Sequence, residues 1–355
     1  MDTQLAIAGT SQHRDSDIFA SAEAVKRALD GVGYNISDTV AYTIYFASFL
    51  NRPVLQEGPA GSGKTEMAVA LSRASGMPLI RLQCYEGITN NQAIGEYSTA
   101  LQNLFVLVNK DLHREWDDIS AELGSRKFYL AGPLLQAIEA KKRVILLIDE
   151  IDKVPRSFEA MLLQLLSVWQ LSITGLGDIF AQTIPFTILT SNAERELSDA
   201  LRRRSLYLLL DQPPAIQQAQ IVAKKTPTLS RNTHLFIAAF AEAIQSYPLE
   251  KTPAISEMND LALIMEKMGW PTITPELREI LFPVLIKRPK DLGNMRTKDK
   301  FADVIFSAME RLPQITLDYD AWEMAQQEAR SFSVSTYASH VEAVRDASPE
   351  VVHAL

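Results

Sequence analysis

The sequence predicts an α/β fold: a parallel β-sheet with helices on both faces, followed by a smaller all-helical domain. Three observations carry that expectation. Up to Asp211, short apolar runs of strand length alternate with segments of helical periodicity. A glycine-rich turn, Gly58 to Thr65, joins the first of these runs to a stretch of helix formers. Beyond Pro213 and Pro214 the apolar residues recur almost entirely at helical spacing.

Taken in order, residues 1–20 read as a mobile tail, and Ser21 to Asp30 and Ser37 to Leu50 as helices separated by Gly31 and Gly33. The strand-like runs are Val54 to Gln56, Leu79 to Leu82, Val144 to Ile148, Phe186 to Leu189 and Leu206 to Leu210. Helices between consecutive parallel strands are what such a sheet requires. The stretch Tyr85 to Lys142 is too long for a simple crossover and is expected to hold inserted helices. Residues 21–211 thus form the sheet domain. Residues 212–312 form the helical domain, with helices at Ala215 to Lys225, Thr233 to Ser246, Ala254 to Met268 and Lys298 to Leu312. Pro275 is placed to open a further helix at Glu276 and Pro283 to bend or end it. Residues 313–355 are left with one helix at Tyr319 to Arg330 and a polar end.

Composition narrows the functional classes. A chain of 355 residues is long for a single core, and 47% hydrophobic content is that of an ordinary soluble protein. A net charge of −8 argues against nucleic acid as the partner. Cys84 is the single cysteine, so no intrachain disulfide is possible. His13, His113, His234, His340 and His353 have no metal-ligand spacing. Met1 to Ser16 lacks the apolar core of a signal peptide, and no apolar run reaches membrane-spanning length, which points to the cytoplasm.

The turn Gly58 Pro59 Ala60 Gly61 Ser62 Gly63 Lys64 Thr65, with Glu66 following, is a Walker A phosphate loop in the strand-to-helix setting that motif requires. Its glycines let successive backbone N–H groups face phosphate oxygens at a helix N-terminus. Lys64 would reach the β and γ phosphates of ATP, and the Thr65 hydroxyl would ligate Mg²⁺. The strand Val144 to Ile148 runs into Asp149 and Glu150, a Walker B pattern. Asp149 would hold Mg²⁺ through its water shell, and Glu150 would activate or orient the attacking water. Without the phosphate loop the same residues would read as a strand ending in a solvated acidic turn containing Asp152 and Lys153.

The strand Phe186 to Leu189 leads through Thr190 and Ser191 to Asn192, whose amide can both donate and accept at a γ-phosphate or a water. Arg202, Arg203 and Arg204 then precede the last strand. Three such arginines alone suit a solvated edge; after a strand-end Asn they also suit arginine fingers.

Together these motifs resemble the AAA+ ATPases. Within them the chain is most similar to the MoxR group, in the branch associated with carbon monoxide dehydrogenase maturation. The closer likeness rests on Arg52 to Glu66, Gln83 Cys84 Tyr85 Glu86 Gly87, Ala131 Gly132 Pro133 Leu134, Leu189 to Asn192 and Arg195 to Leu201, and extends over residues 20–300. The resemblance implies an αβα sandwich with strand order 5-1-4-3-2, then a helical lid. It also implies a ring, usually a hexamer, with ATP at subunit junctions and an arginine reaching into the neighbour's site. Aligning Arg203 Arg204 Ser205 Leu206 with the family pattern makes Arg204 the preferred finger and Arg203 the second choice. A hairpin is implied at Trp169 to Ala181. The implied role is a chaperone-like remodeler of a protein client, working with a von Willebrand factor A domain partner. One departure stands out: where the family's lid carries a sensor 2 arginine, Thr252 Pro253 is followed by Ala254. Lys251 would either substitute in ATP binding or be a solvated residue beside a helix start. The alternatives are a nucleic-acid motor or loader, a kinase on the same loop, and a nucleotide-gated scaffold. Stimulation by DNA, transfer to an acceptor and absent phosphate release, respectively, would reveal them.

Overall fold

The computed structural model describes residues 17–59, 61–109, 115–295 and 297–345. The chain divides into two compact units between Asp211 and Gln212. Among the described residues, no helix is long and apolar enough to cross a membrane.

The first unit begins with α1 (Ala22–Gly31) and α2 (Asp38–Leu50), whose N-termini are capped by Ser21 and Ser37. They lead into β1 (Val54–Glu57), α3 (Lys64–Ser75) and β2 (Leu79–Gln83). An inserted region follows: α4 (Asn90–Ile94), β3 (Gly95–Tyr97), α5 (Thr99–Val108), α6 (Trp116–Leu123), β4 (Tyr129–Ala131) and α7 (Pro133–Glu139). Next come β5 (Ile145–Asp149), α8 (Arg156–Val168), β6 (Gln170–Ile173), β7 (Gly177–Phe180), β8 (Phe186–Ser191), α9 (Asp199–Arg204) and β9 (Leu206–Leu209).

Among the described residues, five strands form one parallel sheet in the order β2-β5-β8-β1-β9. Counting only those five along the chain, the order is 5-1-4-3-2 from the β9 edge, as the resemblance implied. Alternate side chains of each central strand enter different cores, which explains their unbroken hydrophobicity. Ile145 and Leu147 join Val25, Leu29, Ile44, Met67 and Leu71, whereas Leu146 and Ile148 join Leu134, Ile138, Leu162 and Leu165. With both faces closed, the strand ends are the places where polar groups can converge.

The inserted region holds the expected helices and also an unexpected antiparallel ladder, β3 with β4. Strands of three residues are too short to show alternation in sequence. The segment after α8 is an antiparallel hairpin, β6 with β7, and its turn has Gly175 at φ 90° and Gly177 at φ 77°.

The second unit contains α10 (Ala215–Lys225), α11 (Arg231–Gln245), α12 (Ile255–Met268), α13 (Arg278–Leu285), α14 (Pro289–Met295) and α15 (Lys298–Arg345). Pro275 opens a 3-10 turn, Pro275–Leu277, and α13 ends two residues after Pro283. The expected break after Leu312 is absent: α15 runs through Pro313, so the separate helix at Tyr319 to Arg330 is part of it. An interior proline costs a helix about 3 kcal/mol. Phe301, Val304, Ile305, Ala308, Leu312, Ile315 and Tyr319 continue one apolar stripe across it into the same core. Burial worth about 1.5–3 kcal/mol per large side chain outweighs the local cost.

Candidate active site

The phosphate loop follows from close packing at the end of β1. A Cβ at Gly58 would lie 2.1 Å from the Leu210 carbonyl oxygen, so only glycine allows the chain to pass β9 here. Gly61 and Gly63 have φ of 82° and 87°, the left-handed region that turns the loop into α3. Ala60 lies outside the described residues. Lys64 is 7% exposed, and its ammonium donates to the carbonyls of Gly58 and Pro59, both at 2.7 Å, and to Ser62 Oγ at 3.5 Å. Burial pulls its pKa down, and Asp152, Asp149 and Glu150 oppose that shift. Glu66 occupies the first turn of α3.

β5 lies between β2 and β8, which places Asp149 opposite Gln83 and near Thr190. Thr65 Oγ1 lies 3.2 Å from both carboxylate oxygens of Asp149. Thr190 Oγ1 donates to Asp149 Oδ1 and accepts the Glu150 N–H at 2.8 Å. Arg81 donates to Asp149 Oδ2 at 2.6 Å. A half-buried hydroxyl and a buried carboxylate at this spacing are a hard-oxygen donor set that fits Mg²⁺, which needs only one or two protein ligands beside a triphosphate.

Glu150 differs from its neighbour. Its backbone is left-handed, with φ 59° and ψ 48°, a conformation costing a non-glycine residue about 1–2 kcal/mol. This turn takes the side chain out of the strand's alternation. The carboxylate stays one-third exposed, accepts from Gln83 Nε2 at 3.1 Å and pairs with Lys153 at 3.0 Å. Such a group retains access to a water molecule while being held in place.

Gly58 N–H donates to the Ser191 carbonyl at 3.2 Å, so Asn192 follows a strand bonded directly to the start of the phosphate loop. Asp152 fixes that turn: its Oδ2 accepts from the N–H groups of Asn192 at 3.1 Å and Glu194 at 3.0 Å. Arg195 ties the same segment to the carbonyls of Asp152 and Val154 and to buried Glu159. Asp152 is 3% exposed, so it is no part of a solvated acidic turn.

The three arginines separate. Arg202 turns inward to pair with Glu57 at 2.9 Å and lies over the Tyr207 ring, whereas Arg203 and Arg204 are exposed. Arg204 Nε donates to Ser167 Oγ at 2.9 Å. Among the described residues, no hydrogen bond joins Arg203 or Arg204 to the phosphate loop. Lys251 lies in the second unit, where its N–H donates to Asp291 Oδ2 at 3.0 Å. Ala254, at the missing arginine's position, caps α12 and donates its N–H to Glu257 at 3.1 Å.

The sequence motifs do not account for the contacts of Arg81, Gln83, Thr190 and Asp152 or for the pairing of Glu57 with Arg202. For Arg81 and Gln83 a signal existed: two polar residues alternate along the otherwise apolar β2, on the strand edge nearest Cys84. Cys84 itself is buried and its thiol is pushed up to about 12, chiefly by burial, so it supplies no thiolate.

A parallel sheet of this order, with a phosphate loop after β1 and adjacent carboxylates at the end of β5, is the arrangement of an AAA-type nucleotide-binding fold. Residues 53–205 match the family model for the AAA domain of the dynein-related subfamily, so this stretch carries an AAA-type domain. An uncharacterized protein of Staphylococcus epidermidis is 29% identical over 120 residues, an alignment covering 34% of this chain and 38% of that one. The match spans well under half the length of that relative.

Proposed function

We propose that the chain is an ATP-hydrolysing ring protein of MoxR type, resembling the branch associated with carbon monoxide dehydrogenase maturation. In this reading it acts in the cytoplasm as a chaperone-like remodeler of a protein client, with a von Willebrand factor A domain partner. The observation that carries the catalytic part is the 3.2 Å approach of Thr65 to Asp149, with Lys64 in the adjoining loop and Glu150 next in the chain. The β6–β7 hairpin, placed directly after α8, supports the MoxR part.

Residues 58–66 enclose the triphosphate, and the Lys64 ammonium exchanges carbonyl partners for phosphate oxygens. Thr65 and Asp149 would hold Mg²⁺, which supplies charge neutralisation between the β and γ phosphates when bound. Glu150, steadied by Gln83 and Lys153, accepts a proton from the attacking water. Asn192 contacts the γ-phosphate or that water from the turn set by Asp152. Arg204, or else Arg203, projects from one copy into the site of the next and stabilises transferring charge. Lys251 would either stand in for the missing sensor 2 arginine or remain a solvated residue beside a helix start.

Glu150→Gln tests the reading. ATP affinity should stay within about threefold, steady-state hydrolysis should fall at least about a hundredfold, and the ATP-bound ring should persist in size-exclusion chromatography. Unchanged hydrolysis would remove Glu150 from its role, and a monomer under all nucleotide conditions would remove the ring.

A further inference from the structure

The surroundings of Asp149 hold two claimants for one carboxylate, an inference that rests on the nucleotide site proposed above. β2 is the edge strand beside β5, and its alternate residues Arg81 and Gln83 are exposed while Leu82 is buried. The Arg81 guanidinium donates to Asp149 Oδ2 at 2.6 Å, joining a side chain 50% exposed to one 4% exposed. It also donates to Gln83 Oε1, and Gln83 Nε2 donates to Glu150 Oε2 at 3.1 Å. A continuous line of polar contacts therefore runs from Thr65 through Asp149, Arg81 and Gln83 to Glu150.

A carboxylate that holds a divalent cation, directly or through water, lends it negative charge. Here a guanidinium, itself a cation, already draws on that charge. Two cations on one buried carboxylate repel each other, and the one with a route to solvent is the one that yields. Arg81 has that route, because half of its side chain is exposed.

We propose that Arg81 is a displaceable counter-cation of Asp149, competing with the divalent metal for this carboxylate and releasing Gln83 when it leaves. Arg81 is thus a positioning residue that links metal loading at Asp149 to the orientation of Glu150. Removing its charge should strengthen metal binding, the reverse of what a supporting partner of Asp149 would do.

The test is a Mg²⁺ titration of the full chain saturated with a non-hydrolysable ATP analogue, followed by calorimetry. Wild type is compared with Arg81→Gln and Arg81→Lys. The glutamine variant should bind Mg²⁺ about three- to tenfold more tightly, the lysine variant should stay near wild type, and analogue affinity in excess EDTA should be equal in all three. Unchanged or weaker Mg²⁺ binding by Arg81→Gln, with analogue binding intact, overturns the proposal alone. A wild-type chain that binds no analogue overturns the nucleotide site and this proposal with it. Arg81 is exposed on an edge strand, where substitution is expected to leave the fold intact, and the lysine variant separates loss of charge from loss of shape.

Discussion

At the end of the sheet, Asp149, Asp152, Thr190 and Ser191 are each 3% exposed or less, and all four are polar. In α11 of the helical unit, Leu235 and Ile237 to Ala241 are equally closed and all apolar. Burial in α11 is directly stabilising, because a helix apolar on every side is enclosed by its neighbours. At the strand ends, burial of charge is costly and is tolerated only through partners such as Thr190, Arg81 and the N–H groups of Asn192 and Glu194. The difference assigns stability to one region and chemistry to the other. Damage in the first should unfold, and damage in the second should stop turnover.

The largest expected effect breaks the comparison from the stable side. Phe240 is fully buried between Phe236 and Phe301, with ring centroids 6.4 and 6.0 Å away. Phe240→Ala should destabilise the helical unit by about 3–5 kcal/mol in denaturant unfolding while ATP binding by the first unit survives. Parallel loss of ATP binding would show that the two regions are not separable.

A second experiment addresses the exposed arginines. Arg204→Ala and Lys64→Ala should each cut hydrolysis at least about a hundredfold, the former without loss of ATP binding. Mixed together, the two variants should regain hydrolysis, because each supplies the part the other lacks. Assembled mixed rings without recovery would confine Arg204 to its contact with Ser167.

The smallest effect sharpens the comparison at a single turn. Asp152→Asn removes the charge that accepts two backbone N–H groups, and should slow hydrolysis about tenfold through Asn192. ATP affinity and melting temperature should change little. A large fall in melting temperature would make Asp152 a structural residue in the sense of Phe240.

Chemistry written in consecutive residues was legible in the sequence. A phosphate loop needs its glycines and lysine within one turn, and Asp149 and Glu150 announce themselves at the end of an apolar run. The contacts of Arg81, Asp152 and Arg202 were not legible, because strand register creates them. Arg81 meets Asp149 only because β2 pairs with β5. Arg202 reaches Glu57 across 145 residues of chain, so it differs in role from Arg203 and Arg204 although the three are contiguous. Pro313 misled in the other direction: a strong local rule marked a helix end, and a longer-range apolar stripe overrode it.

Ala193, the residue after Asn192, has φ 59° and, like Glu150, sits in a backbone region that suits glycine. An engineer seeking heat resistance would choose glycine at 193 to relax that conformation. The same change would loosen the turn that carries Asn192. A thermostabilised version should therefore be judged by its turnover before its melting curve.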